Sequence, residues 1–122
     1  MAISEAEAVV MEVLWRAAPR SAEAILAEVG PAQGWQEGTV KSLLNRLLRK
    51  KAVHAERDGR RYLYTPLLAR AHYVQLESKG LLDRLFGGRV APLVVHFSEQ
   101  RKLSKKDIAE LRKLLKELDD AP

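Results

Sequence analysis

Apolar residues recur along the first fifty positions at three- and four-residue steps, switch to alternation, and then return to helical spacing. This predicts three short helices, a β-hairpin and a further series of helices. Ser4 with Glu7 forms a capping box, and Val9, Val10, Val13 and Leu14 supply the buried side of a first helix, with Trp15 near its end and Pro19 stopping it. Ser21 caps a second helix, Ala22 to Val29, with Ile25, Leu26 and Val29 inward and Gly30-Pro31 closing it. Trp35 is expected to pack beside the start of the third. Within residues 36–53, Val40, Leu43, Leu44 and Leu47 form one apolar stripe, and Thr39, Lys41, Ser42, Asn45, Arg46 and Arg49 project from the other side.

After Lys50-Lys51 the period becomes two: Val53, Ala55 and Arg57 alternate with His54 and Glu56, Asp58-Gly59 signals a tight turn, and Arg61-Tyr62-Leu63-Tyr64-Thr65 returns as a strand ended by Pro66. A hairpin directly after a third helix is the wing of a winged helix. From Leu67 the chain reads as helix without strand. A long helix marked by Leu67, Ala71, Val74, Leu81, Leu82 and Leu85 runs to about Phe86 and breaks at Gly87-Gly88. A short one carries Val90, Leu93, Val94 and Phe97, and a last one, capped by Ser104 with Asp107, carries Ile108, Leu111, Leu115 and Leu118. The expected fold is mainly α with a small β-hairpin, a winged helix-turn-helix over 1–66 followed by a helical dimerisation region over 67–122.

The polar face of the third helix carries side-chain types that hydrogen-bond to base edges and phosphates. An amphipathic basic helix is also an ordinary solvated face, and charge distribution separates the two readings. The net charge is +5. Residues 36–66 hold eight Lys/Arg against three acidic residues, while the remainder is balanced at thirteen of each sign. All the surplus positive charge therefore lies in one quarter of the chain, as expected of a surface that meets a polyanion. Gln36, Thr39, Lys41, Ser42, Asn45, Arg46, Arg49 and Lys50 on the helix, with Arg57, Arg60 and Arg61 on the wing, are the candidate contacts to double-stranded DNA.

Other chemistries find little support. The absence of cysteine excludes disulfides and thiolate metal sites. His54, His72 and His96 share no ligand spacing, and no phosphate-binding loop or nucleophile motif is present, so neither an enzyme nor a cofactor or metal is expected. With no apolar run near the roughly 18 residues a membrane span needs, the chain is expected to be soluble and cytoplasmic. The C-terminal helices carry more apolar surface than short elements can bury among themselves. A partner chain, contacting Leu82, Leu85, Phe86, Leu93, Val94, Phe97, Ile108, Leu111, Leu115 and Leu118, is the simplest sink for it.

Nearly the whole chain resembles the penicillinase-repressor family of winged-helix repressors, the BlaI/MecI type that also contains the CopY copper-responsive repressors. The resemblance rests on Trp35, Thr39-Val40-Lys41-Ser42-Leu43-Leu44-Asn45-Arg46-Leu47, Lys50-Lys51, the strand from Arg60 to Pro66, Leu85-Phe86-Gly87-Gly88, Leu93-Val94-Val95-His96-Phe97 and Leu103-Ser104. It implies a homodimer with interlocked C-terminal helices, bound to operator dyads of TACA/TGTA type through Thr39, Lys41, Ser42 and Arg46. It also implies release of repression by a membrane-bound sensor protease system, with the cleavage region mapping to His96-Phe97.

The chain departs from the family pattern in three places. Gln36 replaces a Ser or Asp cap, and Ala52 a glycine that ends the recognition helix, each at a cost of about 1 kcal/mol. The cysteine motifs of copper-responsive members are missing, which removes metal sensing of that kind. Two rival readings share the fold: a ligand-responsive regulator with a small-molecule pocket at the dimer interface, and a winged helix used as a protein-interaction module.

Overall fold

The computed structural model describes residues 2–122. Its elements in chain order are α1 (Glu5–Arg16), α2 (Ala22–Gln33), α3 (Glu37–Arg49), β1 (Val53–Asp58), β2 (Arg61–Pro66), α4 (Arg70–Leu85), α5 (Val90–Glu99) and α6 (Lys105–Asp119). This is the predicted order: three helices, a wing, three helices.

Both predicted capping boxes form. The Ser4 hydroxyl accepts from the Glu7 amide at 3.1 Å while the Ser4 amide donates to Glu7 Oε1 at 2.8 Å, and Ser104 with Asp107 repeats the arrangement at α6. The stripe Ile3, Glu7, Val10, Met11 and Leu14 faces inward from α1 and its lead-in, so Met11 and the carboxylate of Glu7 belong to the buried side, and Val9 is only half-buried. Val40, Leu43, Leu44 and Leu47 of α3 fill the centre between α1 and α2. Trp35 packs against this core as expected.

Helix α2 is longer than predicted. Gly30-Pro31 does not close it; the helix continues to Gln33 and ends at Gly34, whose φ of 72° is the left-handed geometry that glycine adopts without penalty. Pro31 sits in the last turn, where its missing amide removes one hydrogen bond from a helix that tertiary packing already holds. Gly30 is buried beneath Leu26, close enough that a Cβ there would lie 2.7 Å from Leu26 Cδ1.

The wing is an antiparallel pair, Val53↔Pro66 through Asp58↔Arg61. Gly59, at φ 65°, occupies the first of the two turn positions, where a tight hairpin needs a left-handed residue. Its base is fixed by a contact that the hydrophobic pattern does not announce. Arg20, between α1 and α2, exchanges backbone hydrogen bonds with Tyr64 at 3.1 and 2.8 Å and so adds a third strand-like segment to β2.

Leu67 does not begin α4. The amides of Leu67 and Leu68 both donate to Ala52 O, at 2.8 and 3.0 Å, which holds the segment against the end of α3 and delays the helix to Arg70. Leu68 rather than Leu67 enters the core, Trp15 Nε1 donates to Leu68 O at 2.8 Å, and the Trp15 and Tyr73 rings lie 5.4 Å apart. The first compact unit accordingly reaches Val74, beyond Pro66, and the second spans Gln75–Pro122. No residue of the second unit is buried. Its apolar side chains line open grooves, one of about 480 Å³ formed by Val90, Leu93, Val94, Phe97, Lys102, Leu103 and Leu111. Among the described residues, no helix is long and apolar enough to cross a membrane.

Candidate nucleic-acid interface

Because the Val40, Leu43, Leu44 and Leu47 stripe anchors α3 inward, the opposite side is necessarily the exposed one. Gly38, Lys41, Ser42, Asn45, Leu48 and Arg49 line a shallow depression on that side. Gln36, Thr39 and Arg46 flank it and are exposed. Among the described residues, the side chains of Thr39, Ser42, Asn45, Arg46 and Arg49 make no hydrogen bond or ion pair, so their donors are open to a ligand. Gln36 stands at the N-cap without a side-chain capping bond, as its departure from Ser or Asp implies.

Glu37 is the residue of this face that sequence reasoning passes over. Its carboxylate lies 2.7 Å from Lys41 Nζ, one helical turn away, and the hydrogen bond and charge of Lys41 hold the Glu37 carboxyl below its ordinary value. The same contact holds the Lys41 ammonium above its own. Its signal is present in the sequence as an acid four residues before a lysine.

At the wing tip, Arg57 Nε donates to Gly59 O at 3.1 Å and Arg61 pairs with Asp58 at 3.1 Å, both exposed. Arg60 has no partner among the described residues. The three arginines thus cluster around one turn, two of them braced by it.

Lys50 is placed differently from the other candidates. Its ammonium turns back toward the N-terminus of α1, donating to Glu7 Oε1 at 2.5 Å and to Ala2 O at 2.7 Å. The Glu7 side chain is 1% exposed. Burial pushes its carboxyl up, but the Lys50 ammonium and the Ser4 amide and hydroxyl outweigh that and leave it below the ordinary value. The capping box accounts for only part of what Glu7 does. Its place on the inward stripe, four residues after Ile3 and three before Val10, is the readable sign of a buried acid needing a cation.

The helix ending beside Lys50 also differs from expectation. The left-handed residue is Lys51, at φ 62°, and not position 52. Ala52 is fully buried, and its amide donates to Leu47 O at 2.9 Å to complete the helix cap.

In the second unit, Leu82, Phe86, Leu93, Val94 and Leu111 are half-buried, whereas Leu85, Phe97, Ile108, Leu115 and Leu118 are exposed. His96 and Phe97 lie exposed within α5, with the His96 ring 6.0 Å from that of Phe86. No group of His, Asp or Glu suited to a metal ion occurs among the described residues.

Comparison with known proteins agrees with this arrangement. The penicillinase repressor family model matches residues 3–117. The chain is 31% identical to a penicillinase repressor of Bacillus licheniformis over 115 residues, 94% of this chain and 90% of that protein. It is 30% identical over 113 residues to the methicillin resistance regulatory protein MecI of Mammaliicoccus sciuri, covering 93% of this chain and 92% of the relative. The solution structure of the Bacillus licheniformis BlaI monomeric form in complex with the blaP half-operator superposes with a TM-score of 0.53 at 30% identity, over 60% of this chain and 89% of that one. The protein therefore belongs to the penicillinase repressor family, a family of DNA-binding transcriptional repressors and not of enzymes.

Proposed function

We propose that this protein is a homodimeric, cytoplasmic transcriptional repressor. Each protomer sets α3 into the major groove of one half-site of a palindromic operator and lays the wing arginines along the adjacent backbone. The observation that carries this reading is the outer face of α3, where polar and cationic side chains, all but Lys41 without a partner among the described residues, surround a depression on a rigid, core-anchored helix. The surplus charge of residues 36–66, and the half-operator bound by the related BlaI, support the same reading.

The winged helix, whose core takes in Leu68 and which reaches Val74, is the DNA-binding domain, and the chain beyond it is the dimerisation region. In support, the second unit has no buried residue, and another chain would give its apolar side chains a core. Repression ends by a cut near His96-Phe97 made under the control of a membrane sensor. A ten-residue helix preceded by Gly87-Gly88 and with no buried residue is marginal alone, and it opens locally at low cost. Removal of α6 uncouples the two half-sites, and avidity of about 10² to 10⁴ goes with it.

Footprinting of the full chain on the DNA flanking its own gene tests the proposal. A protected dyad whose protection disappears for a chain ending at His96 is the expected result. A second reading, release by an apolar small molecule, is favoured by the groove of about 480 Å³ beside α5. It gains ground if the shortened chain still dimerises and protects both half-sites.

A further inference from the structure

Lys50 follows the last residue of α3 and precedes the left-handed Lys51 that turns the chain into the wing. At this junction its ammonium reaches across to Glu7 and to Ala2 O, at 2.5 and 2.7 Å, and so ties the end of the recognition helix to the start of α1. The Glu7 carboxylate is 1% exposed and is itself fixed, since Oε1 also accepts from the Ser4 amide at 2.8 Å within the α1 capping box. Cap, carboxylate and ammonium form one rigid connection. Should Lys50 swing out to a phosphate, both hydrogen bonds would break and the buried carboxylate would be left without its only cation among the described residues, a costly arrangement for such a group.

We propose that Glu7 and Lys50 are a positioning pair for operator recognition, and that Lys50, despite lying in the most basic quarter of the chain, is not a DNA ligand. This rests on the reading of α3 as the recognition helix. Base contacts tolerate displacements of only about 0.5 Å and 10–20°, whereas phosphate contacts made by long flexible cations are forgiving. A tether at the junction of α3 and the wing therefore governs the discrimination between operator and random sequence. It leaves the count of neutralised phosphates alone.

The test uses the full-length protein with Lys50→Met, Glu7→Gln and the double variant Glu7→Leu/Lys50→Met. Operator and random duplex are each titrated over a range of salt, and circular dichroism follows the fold. Replacing both members by apolar groups of similar size keeps such a site filled, so the double variant remains folded even where a single one is weakened. All three should bind the operator about 10-fold more weakly and random DNA within about 2-fold of wild type, with the slope of log K against log[salt] unchanged.

A slope shallower by about 0.9 for Lys50→Met alone, with operator and random DNA weakened alike, would make Lys50 a phosphate ligand and overturn the proposal. A folded double variant that binds the operator as wild type does would overturn it as well. A wild-type slope near zero would contradict the DNA-binding reading itself and remove the inference with it.

Discussion

Glu7 and Lys50, 43 residues apart, meet at 2.5 Å with the carboxylate buried and the ammonium at the rim of the core. Removing one partner of such a pair strands the other. Lys50→Ala, which leaves the buried carboxylate without this partner, should therefore destabilise the winged helix by about 3 kcal/mol. The sign of the pH dependence follows from the lowered Glu7 carboxyl. The pair's contribution is complete above the unfolded-state value near 4.5 and is lost as pH falls through the lower folded-state value. Thermal melts from pH 7 to pH 3 should show an acid-side loss of stability that Glu7→Gln reduces.

Lys51 holds a left-handed conformation, at φ 62°, that costs a residue with a Cβ about 1 kcal/mol. Lys51→Gly should raise stability by roughly that amount, with a higher urea midpoint and an unchanged m-value. A lower midpoint would mean that the Lys51 side chain contributes more than its backbone costs.

Much of the fold is legible in the sequence, because the Val40, Leu43, Leu44 and Leu47 stripe and the alternation from Val53 to Thr65 each admit one burial pattern. What escapes depends on contacts distant in sequence or on competition between local signals. Gly30-Pro31 resembles a stop, yet packing of Leu26 over Gly30 carries α2 on to Gly34. Leu67 resembles the start of a helix, yet Ala52 O captures two amides there. Lys50 stands in a row of basic residues, and only the fold brings it to Glu7. Composition marks where a charge lies in sequence, whereas its availability depends on what the tertiary structure sets beside it.

At the wing, Arg60 and Arg61 are exposed, and among the described residues Arg61 is held by Asp58 across the turn. Replacing both by Ala should flatten the slope of log K against log[salt] by about 0.9 for each phosphate that is no longer neutralised. Operator and random DNA should weaken together. Weakening confined to the operator would place these arginines on base edges.

Leu115 is 62% exposed in the single chain, so Leu115→Asp costs an isolated protomer little. In an apolar interface the same carboxylate would be unpaired, at a cost of several kcal/mol. Sedimentation should show monomers for this variant and dimers for wild type. A tight dimer in both would place the interface on another face of α6.

The central claim, that α3 reads DNA, is tested most directly by the affinity of Lys41→Ala and Arg46→Ala for the footprinted operator, measured by gel shift beside circular dichroism. Both side chains are exposed and Arg46 has no partner among the described residues, so neither substitution disturbs the core. Each should leave the helical spectrum unchanged and weaken operator binding by about 1 to 3 kcal/mol. Wild-type affinity in both folded variants would take α3 out of the groove and contradict the account.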